Sequence, residues 1–272
     1  MSTKIGFNFS ENTSENETVI IENPKEENAP RKCLAEIRFP GVYKPYTYYN
    51  ELFDLKVGDR VFVDGKLEGT TGVVVNISYN FKIKLSDYKR VVGRVDTNVK
   101  GEFHFAESHF VTFNPVALPY SKAETWFRYL GINDDGYVSN TDGTTFSLET
   151  LEGLVFNQTD LEKGGEIYME NGVEYIELNG EKGKAIVVSS KPYLVEFTYK
   201  KGQISELYCE CYHVTACKHC FATLMQLRDT VKFIEENYNE QYEKTNYFAS
   251  VLKNQLFTFA VDSKSIGSIS LK

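Results

Sequence analysis

The chain has 272 residues, 42% hydrophobic and 14% aromatic, with a net charge of −8 at pH 7. That length allows one large or two small domains with sizeable cores, and the acidic balance excludes a protein generally coated in nucleic acid. No apolar run approaches the roughly 18–20 residues needed to span a bilayer, and the N-terminal stretch lacks the basic-then-apolar order of a secretory signal, so the expectation is a cytoplasmic protein with no membrane partner.

Residues 1–31 carry 3 basic and 6 acidic side chains and no apolar periodicity, which predicts a disordered acidic tail over 1–33. The pattern changes at Ala35. Residues 35–39 alternate, residues 56–63 read as a turn feeding a strand, and 72–77 form an apolar run. Residues 80–85 alternate apolar and basic, and 90–95 make another short strand. Short strands with glycine punctuation predict a small SH3-like β-barrel over 34–113. From Ala35 to about residue 75 this part is similar to the N-terminal DNA-binding module of the primosomal helicase. The residues carrying that likeness are Pro45-Tyr46-Thr47-Tyr48 and the turn Val57-Gly58-Asp59-Arg60-Val61.

If 80–85 is extended, Lys82 and Lys84 share one face of it, because strand side chains alternate. Lys89, Arg90 and Arg94 follow, with Tyr79 and Tyr88 nearby. Cations interleaved with aromatics suit single-stranded nucleic acid, where bases stack and phosphates pair. The same pattern also reads as a solvated strand face with tyrosines at its edge.

Residues 116–186 hold 5 basic and 13 acidic groups and are β-leaning. A short helix over 121–130 is predicted from Ser121 as cap and Gly131 as stop. Asn171-Gly172 and Asn179-Gly180 are strong hairpin-turn signals. The segments Asn133–Asp135 and Asp142–Gly143 do not match calcium-loop spacing and read as turn residues.

Two strands around Gly202 then lead to Cys209-Glu210-Cys211, and Cys217-Lys218-His219 opens a helix running to about 237–242. These are two local pairs of soft or borderline ligands at a strand end and a helix start. Thiolate sulfur and imidazole nitrogen are what tetrahedral zinc takes in a closed structural site. Four of the five cysteines lie between 209 and 220, and such clustering points to a reducing compartment with free thiolates. Cys33 is left as a free thiol. Because Cys217 and Cys220 also form a C-x-x-C knuckle, the fourth ligand is His219 or Cys220. His213, in the gap, reads as a surface residue.

The pattern C-x-C, a gap, then C-x-H in a ββα frame resembles the SWIM zinc finger. The likeness covers about 187–230, carried by Cys209, Cys211, Cys217 and His219 and by the apolar run after the histidine. It favours His219 over Cys220 as ligand, with Cys220 packing as a small apolar residue. It implies a zinc cofactor and a role in binding nucleic acid or protein, beside a helicase or recombination factor. Lys218 in the finger joins Lys82, Lys84, Lys89, Arg90 and Arg94 as candidate nucleic-acid contacts.

Catalytic constellations are lacking in the sequence. Residues 180–184 have neither the spacing nor the hydroxyl of a phosphate loop, and no nucleophile elbow or His-Glu-x-x-His helix occurs. His104 and His109 fall on opposite phases of an extended segment. The expected protein is therefore not an enzyme. Its fold class is α+β, mostly β: the barrel, an acidic β-rich region over 114–186, the ββα finger with its helix over 187–243, and a C-terminal hairpin or cap over 244–272.

Overall fold

The computed structural model describes residues 30–128, 144–151, 157–211, 216–262 and 267–272. The expected tail up to residue 29, the turn residues at 133–135 and 142, the stop at Gly131 and His213 lie outside the described residues. Within them the chain is α+β, with two sheets of five and nine strands.

The five-stranded sheet is entirely antiparallel. Its strands are β1 (Cys33–Arg38), β2 (Tyr46–Asn50), β3 (Arg60–Val63), β4 (Gly72–Ser78) and β5 (Val91–Arg94), in the order β2-β1-β4-β3-β5. Alternation along β1 buries Cys33, Ala35 and Ile37. With Phe39, Tyr48, Leu55, Val61, Val63, Val74 and Val91 they form one apolar cluster.

This sheet is not the closed barrel that the strand pattern predicts. Its edge strands β2 and β5 come together only at the bridge Tyr49–Arg90, where the Tyr49 N–H donates to the Lys89 carbonyl at 2.9 Å. The reason lies in residues 80–85, which form no strand and lead into a 3-10 turn at Leu85–Asp87. An alternating run becomes a strand only where a neighbour offers its backbone groups. Here the run pairs with no strand, with Phe81 and Ile83 half-buried and the Phe81 ring edge-on to that of Tyr49 at 6.2 Å.

The nine-stranded sheet comprises β6 (Lys100–Ala106), β7 (His109–Thr112), β8 (Phe146–Ser147), β9 (Val173–Asn179), β10 (Lys182–Val188), β11 (Pro192–Lys200), β12 (Gln203–Cys209), β13 (Tyr247–Leu252) and β14 (Ser268–Leu271). Their order is β14-β6-β7-β13-β9-β10-β11-β12-β8, with only the β14–β6 pair parallel. The helices are α1 (Tyr120–Phe127), α2 (Gln158–Met169), α3 (Lys218–Asn237), α4 (Asn239–Thr245) and α5 (Lys253–Leu256). One face of the sheet packs Ile176, Leu178, Val195 and Phe248 against Leu224, Leu227 and Ile234 of α3. The other packs Tyr175, Ile186, Tyr247 and Val251 against Trp126 of α1 and Phe259. The expected boundaries at 113 and 186 both cross this sheet: β6 and β7 belong to it, and β9 to β12 form one meander.

Of the two Asn-Gly signals, Asn179-Gly180 makes the β9–β10 hairpin, with Gly180 at φ +62°. Asn171-Gly172 instead ends α2, where the Gly172 N–H donates to the Ile167 carbonyl at 2.7 Å and Asn171 adopts φ +59°. A left-handed residue serves helix ends and hairpins equally, so the dipeptide alone cannot choose. Helix α1 starts at Tyr120 behind Pro119, one residue before the expected Ser121 cap. The expected C-terminal hairpin is not formed: residues 253–261 are helical and β14 pairs with β6.

Gly183 on β10 lies opposite Phe197 on β11, a side chain 2% exposed. A Cβ on Gly183 would lie 2.1 and 2.2 Å from Phe197 Cε2 and Cζ. Gly183→Ala is expected to destabilise the chain by about 1–3 kcal/mol through overpacking, read as a lowered urea midpoint. An unchanged midpoint would mean that the Phe197 ring has room to turn away.

Candidate metal centre

The β11–β12 hairpin ends at Cys209, and Cys211 stands two residues on. Cys217 is the N-cap of α3, in extended backbone (φ −114°, ψ 175°), which leaves Lys218, His219 and Cys220 as the first residues of the helix. Strand end and helix start therefore converge. The sulfurs of Cys209, Cys211 and Cys217 and a ring nitrogen of His219 all lie within 4.8 Å of one another.

The separations recorded are close to those of a tetrahedral ion. Cys211 Sγ and Cys217 Sγ are 3.4 Å apart, and His219 Nδ1 is 3.7 Å from both Cys209 Sγ and Cys217 Sγ. Zinc bonds of about 2.3 Å to sulfur and 2.0 Å to nitrogen put tetrahedral ligand atoms roughly 3.5–3.8 Å apart. Three thiols and an imidazole in this spacing fit zinc, without excluding other soft divalent ions. Cys220, 2% exposed, has its sulfur 3.7 Å from Cys217 Sγ.

The ring of His219 is held for this task. Its Nε2 meets Ser189 Oγ at 3.1 Å, and the ring of Tyr193 stacks on it at 4.2 Å. With Nε2 donating its proton to Ser189, Nδ1 keeps its lone pair toward the sulfurs, the usual division of labour in a ligating histidine. Among the thiols, hydrogen bonds from Cys209 and Cys220 hold Cys217 well below its ordinary pKa, while Cys209, as donor to Cys217, is pushed up. The cluster thus shares protons that a metal would displace, so metal uptake releases protons and weakens in acid.

Helix α2 fixes where α3 begins. Asp160 Oδ1 accepts from the Lys218 N–H at 3.3 Å, and a Cβ on Gly164 would lie 2.7 Å from the Lys218 carbonyl oxygen. These two residues were not legible as site residues because α2 itself is not predicted by the periodicity. One usable signal exists: Asn157 caps the Asp160 N–H at 2.8 Å, an Asn-x-x-Asp start pattern. Glu210, between two ligands, is engaged elsewhere: its Oε2 accepts from Arg128 Nη1 at 2.5 Å.

The expected nucleic-acid residues are scattered. Lys82 and Lys84 are exposed but lie on the irregular segment, so the shared strand face predicted for them does not exist. Lys89 is exposed, its stem over Gly65. Arg90 pairs with Glu51 at 2.9 Å, and Arg94 donates to the Asp54 carbonyl at 3.2 Å. Lys218 is half-buried between the candidate ligands Cys217 and His219. His104 and His109 do not meet: His109 Nε2 is bound to the Val173 carbonyl at 2.9 Å, and the His104 ring meets that of Tyr238 tilted by 47°, with centroids 4.6 Å apart.

No helix among the described residues is long and apolar enough to cross a membrane. Fold and site together define an α+β protein with a Cys/His cluster able to hold a metal ion. No family model, curated protein or solved structure matches the chain.

Proposed function

We propose that the chain is a non-enzymatic, cytoplasmic zinc protein of the SWIM type, acting as a nucleic-acid-binding accessory factor in DNA transactions. The observation that carries the zinc reading is the convergence of four ligand atoms within 4.8 Å from a hairpin and a helix start. Cys209, Cys211, Cys217 and His219 would hold the ion, and the bound metal would supply a tie between β12 and α3. Four protein ligands complete a tetrahedron, which is the arrangement of structural rather than catalytic zinc. The nucleic-acid reading is supported by the exposed cations Lys82, Lys84 and Lys89 and by Tyr79, which is 40% exposed and lies under Arg31 at 4.1 Å. The partner this reading calls for is a helicase or recombination factor.

Fluorescence anisotropy of the zinc-loaded protein on labelled single-stranded, duplex and forked DNA across a salt series tests it. Reversing Lys82, Lys84 and Lys89 to glutamate is expected to flatten the salt dependence on single strands by about 2 in log–log slope, since each phosphate contact contributes roughly 0.7. No binding at low salt would discard the nucleic-acid reading in favour of a protein–protein adaptor, a role compatible with the acidic stretch over 116–186.

A further inference from the structure

Arg128, the residue that ends α1, joins its own helix to the turn after β12. Its Nε and Nη2 donate to Glu124 Oε1 at 2.9 and 2.5 Å, and its Nη2 also donates to the Tyr120 hydroxyl at 3.1 Å. Its Nη1 donates to Glu210 Oε2 at 2.5 Å, across 82 residues of sequence. The participants are shielded: the side chains of Arg128, Glu124 and Glu210 are 24%, 10% and 25% exposed. The guanidinium fork suits such a task, because its donors are fixed in one plane and can serve two carboxylates at once.

Helix α1 is tied to β9 of the large sheet through the Tyr120 N–H and to the segment after β5 through Trp126, while the Tyr120–Glu124 bond lies within the helix. The Tyr120 N–H donates to Glu177 Oε2 at 2.9 Å, the Tyr120 hydroxyl to Glu124 at 2.8 Å, and Trp126 Nε1 to the Asp96 carbonyl at 2.7 Å. At the other end, Glu210 is the single residue between Cys209 and Cys211. Its N–H donates to the Leu194 carbonyl of β11 at 3.1 Å. The two-thiol turn is thereby gripped twice, through its backbone by β11 and through its side chain by α1. The charges also favour a cation here: three thiolates around a divalent ion leave one net negative charge, Glu210 and Glu124 add two more, and Arg128 offsets one of them.

We propose that Arg128 is a positioning residue for the metal centre, holding the Cys209–Cys211 turn in ligating geometry through Glu210. The inference rests on the zinc reading of the cluster. Outer partners that orient metal ligands typically change affinity by about 10–100-fold when removed, and Arg128 acts one step further out than the usual histidine partner.

The test is zinc affinity of the full chain, measured by competition with a chromophoric chelator, together with the thermal midpoint of the metal-free protein. Glu210→Ala is expected to weaken zinc by about tenfold while leaving the metal-free midpoint in place, since Arg128 keeps Glu124 as partner. Arg128→Met is expected to weaken zinc at least as much, and the double variant no further, because both remove one link. Wild-type protein that binds one zinc, beside variants that bind equally tightly, would overturn the positioning role. So would a Glu210→Ala variant whose metal-free midpoint falls in step with its affinity, which marks a merely structural contact. Wild-type protein that binds no zinc would instead overturn the reading of the cluster itself.

Discussion

Cys217→Ser is expected to abolish zinc binding and to lower the thermal midpoint of the zinc-loaded chain by about 8–16 °C. The estimate follows from linkage: a ligand present at a thousand times its dissociation constant stabilises the folded state by about 4 kcal/mol, and each kcal/mol shifts a chain of this size by roughly 2–4 °C. Cys217 is the ligand to remove because it is central. Its sulfur lies 3.4 Å from Cys211, 3.7 Å from His219 Nδ1 and 3.7 Å from Cys220, and it is the N-cap of α3. Losing it frees the start of α3 from the end of β12. The core of the five-stranded sheet, around Ala35, Ile37, Val61 and Val74, is a separate cluster, so amide-exchange protection in 33–94 is expected to persist. Metal content by mass spectrometry and melts with and without chelator provide the measurement. Equal loss of protection in both sheets would refute the separation, and chelator should reproduce the variant in the wild-type chain. Cys220→Ser is expected to retain one zinc per chain. Loss of the metal there would move the fourth ligand from His219 to Cys220.

Glu177→Leu is expected to destabilise the chain by about 3–5 kcal/mol, since each buried donor left without a partner costs about 1–3 kcal/mol. Glu177 is 8% exposed, and its Oε2 accepts from the Tyr120 N–H at 2.9 Å, the Tyr175 hydroxyl at 2.8 Å and the Tyr247 hydroxyl at 3.3 Å. With the carboxylate gone, both hydroxyls compete for the Leu118 carbonyl, which they already reach at 2.8 and 3.3 Å. The Tyr120 N–H, at the start of α1, keeps nothing. Glu177→Gln retains one acceptor oxygen and is expected to lose less than half as much in urea denaturation. Equal losses for the two variants would mean that charge, not hydrogen bonding, holds these three groups.

The candidate metal ligands were the most legible part of the sequence because their constraint is local: two pairs, each within three residues, at recognisable strand and helix boundaries. The β11–β12 hairpin, the Asn179-Gly180 turn and α3 follow from equally short-range patterns. Other features depend on distant partners. Whether residues 80–85 form a strand depends on a neighbouring edge that no local pattern describes. Helix α2 is disguised by Gly164 and Gly165, residues poor in helix propensity; Gly164 is there because α3 passes too close for a side chain. Strand β13 follows directly on α4 and is fully central in its sheet, so it has apolar residues on both faces and no alternation to reveal it. The Arg128–Glu210 pair spans 82 residues and leaves no periodic trace.

The central place of β13 has a consequence for the order in which the protein is made. Residues 247–252 sit between β7, ending at Thr112, and β9, beginning at Val173. As the chain leaves the ribosome, the five-stranded sheet is complete in sequence by Arg94, and all four candidate ligands have emerged by His219. The nine-stranded sheet at that moment is still two ribbons with a vacant slot between them, each presenting an unpaired edge of the kind that recruits foreign strands. Contacts of such long sequence separation also form slowly. A metal captured at residue 219 would hold the β9–β12 half in shape while it waits for the strand that closes it.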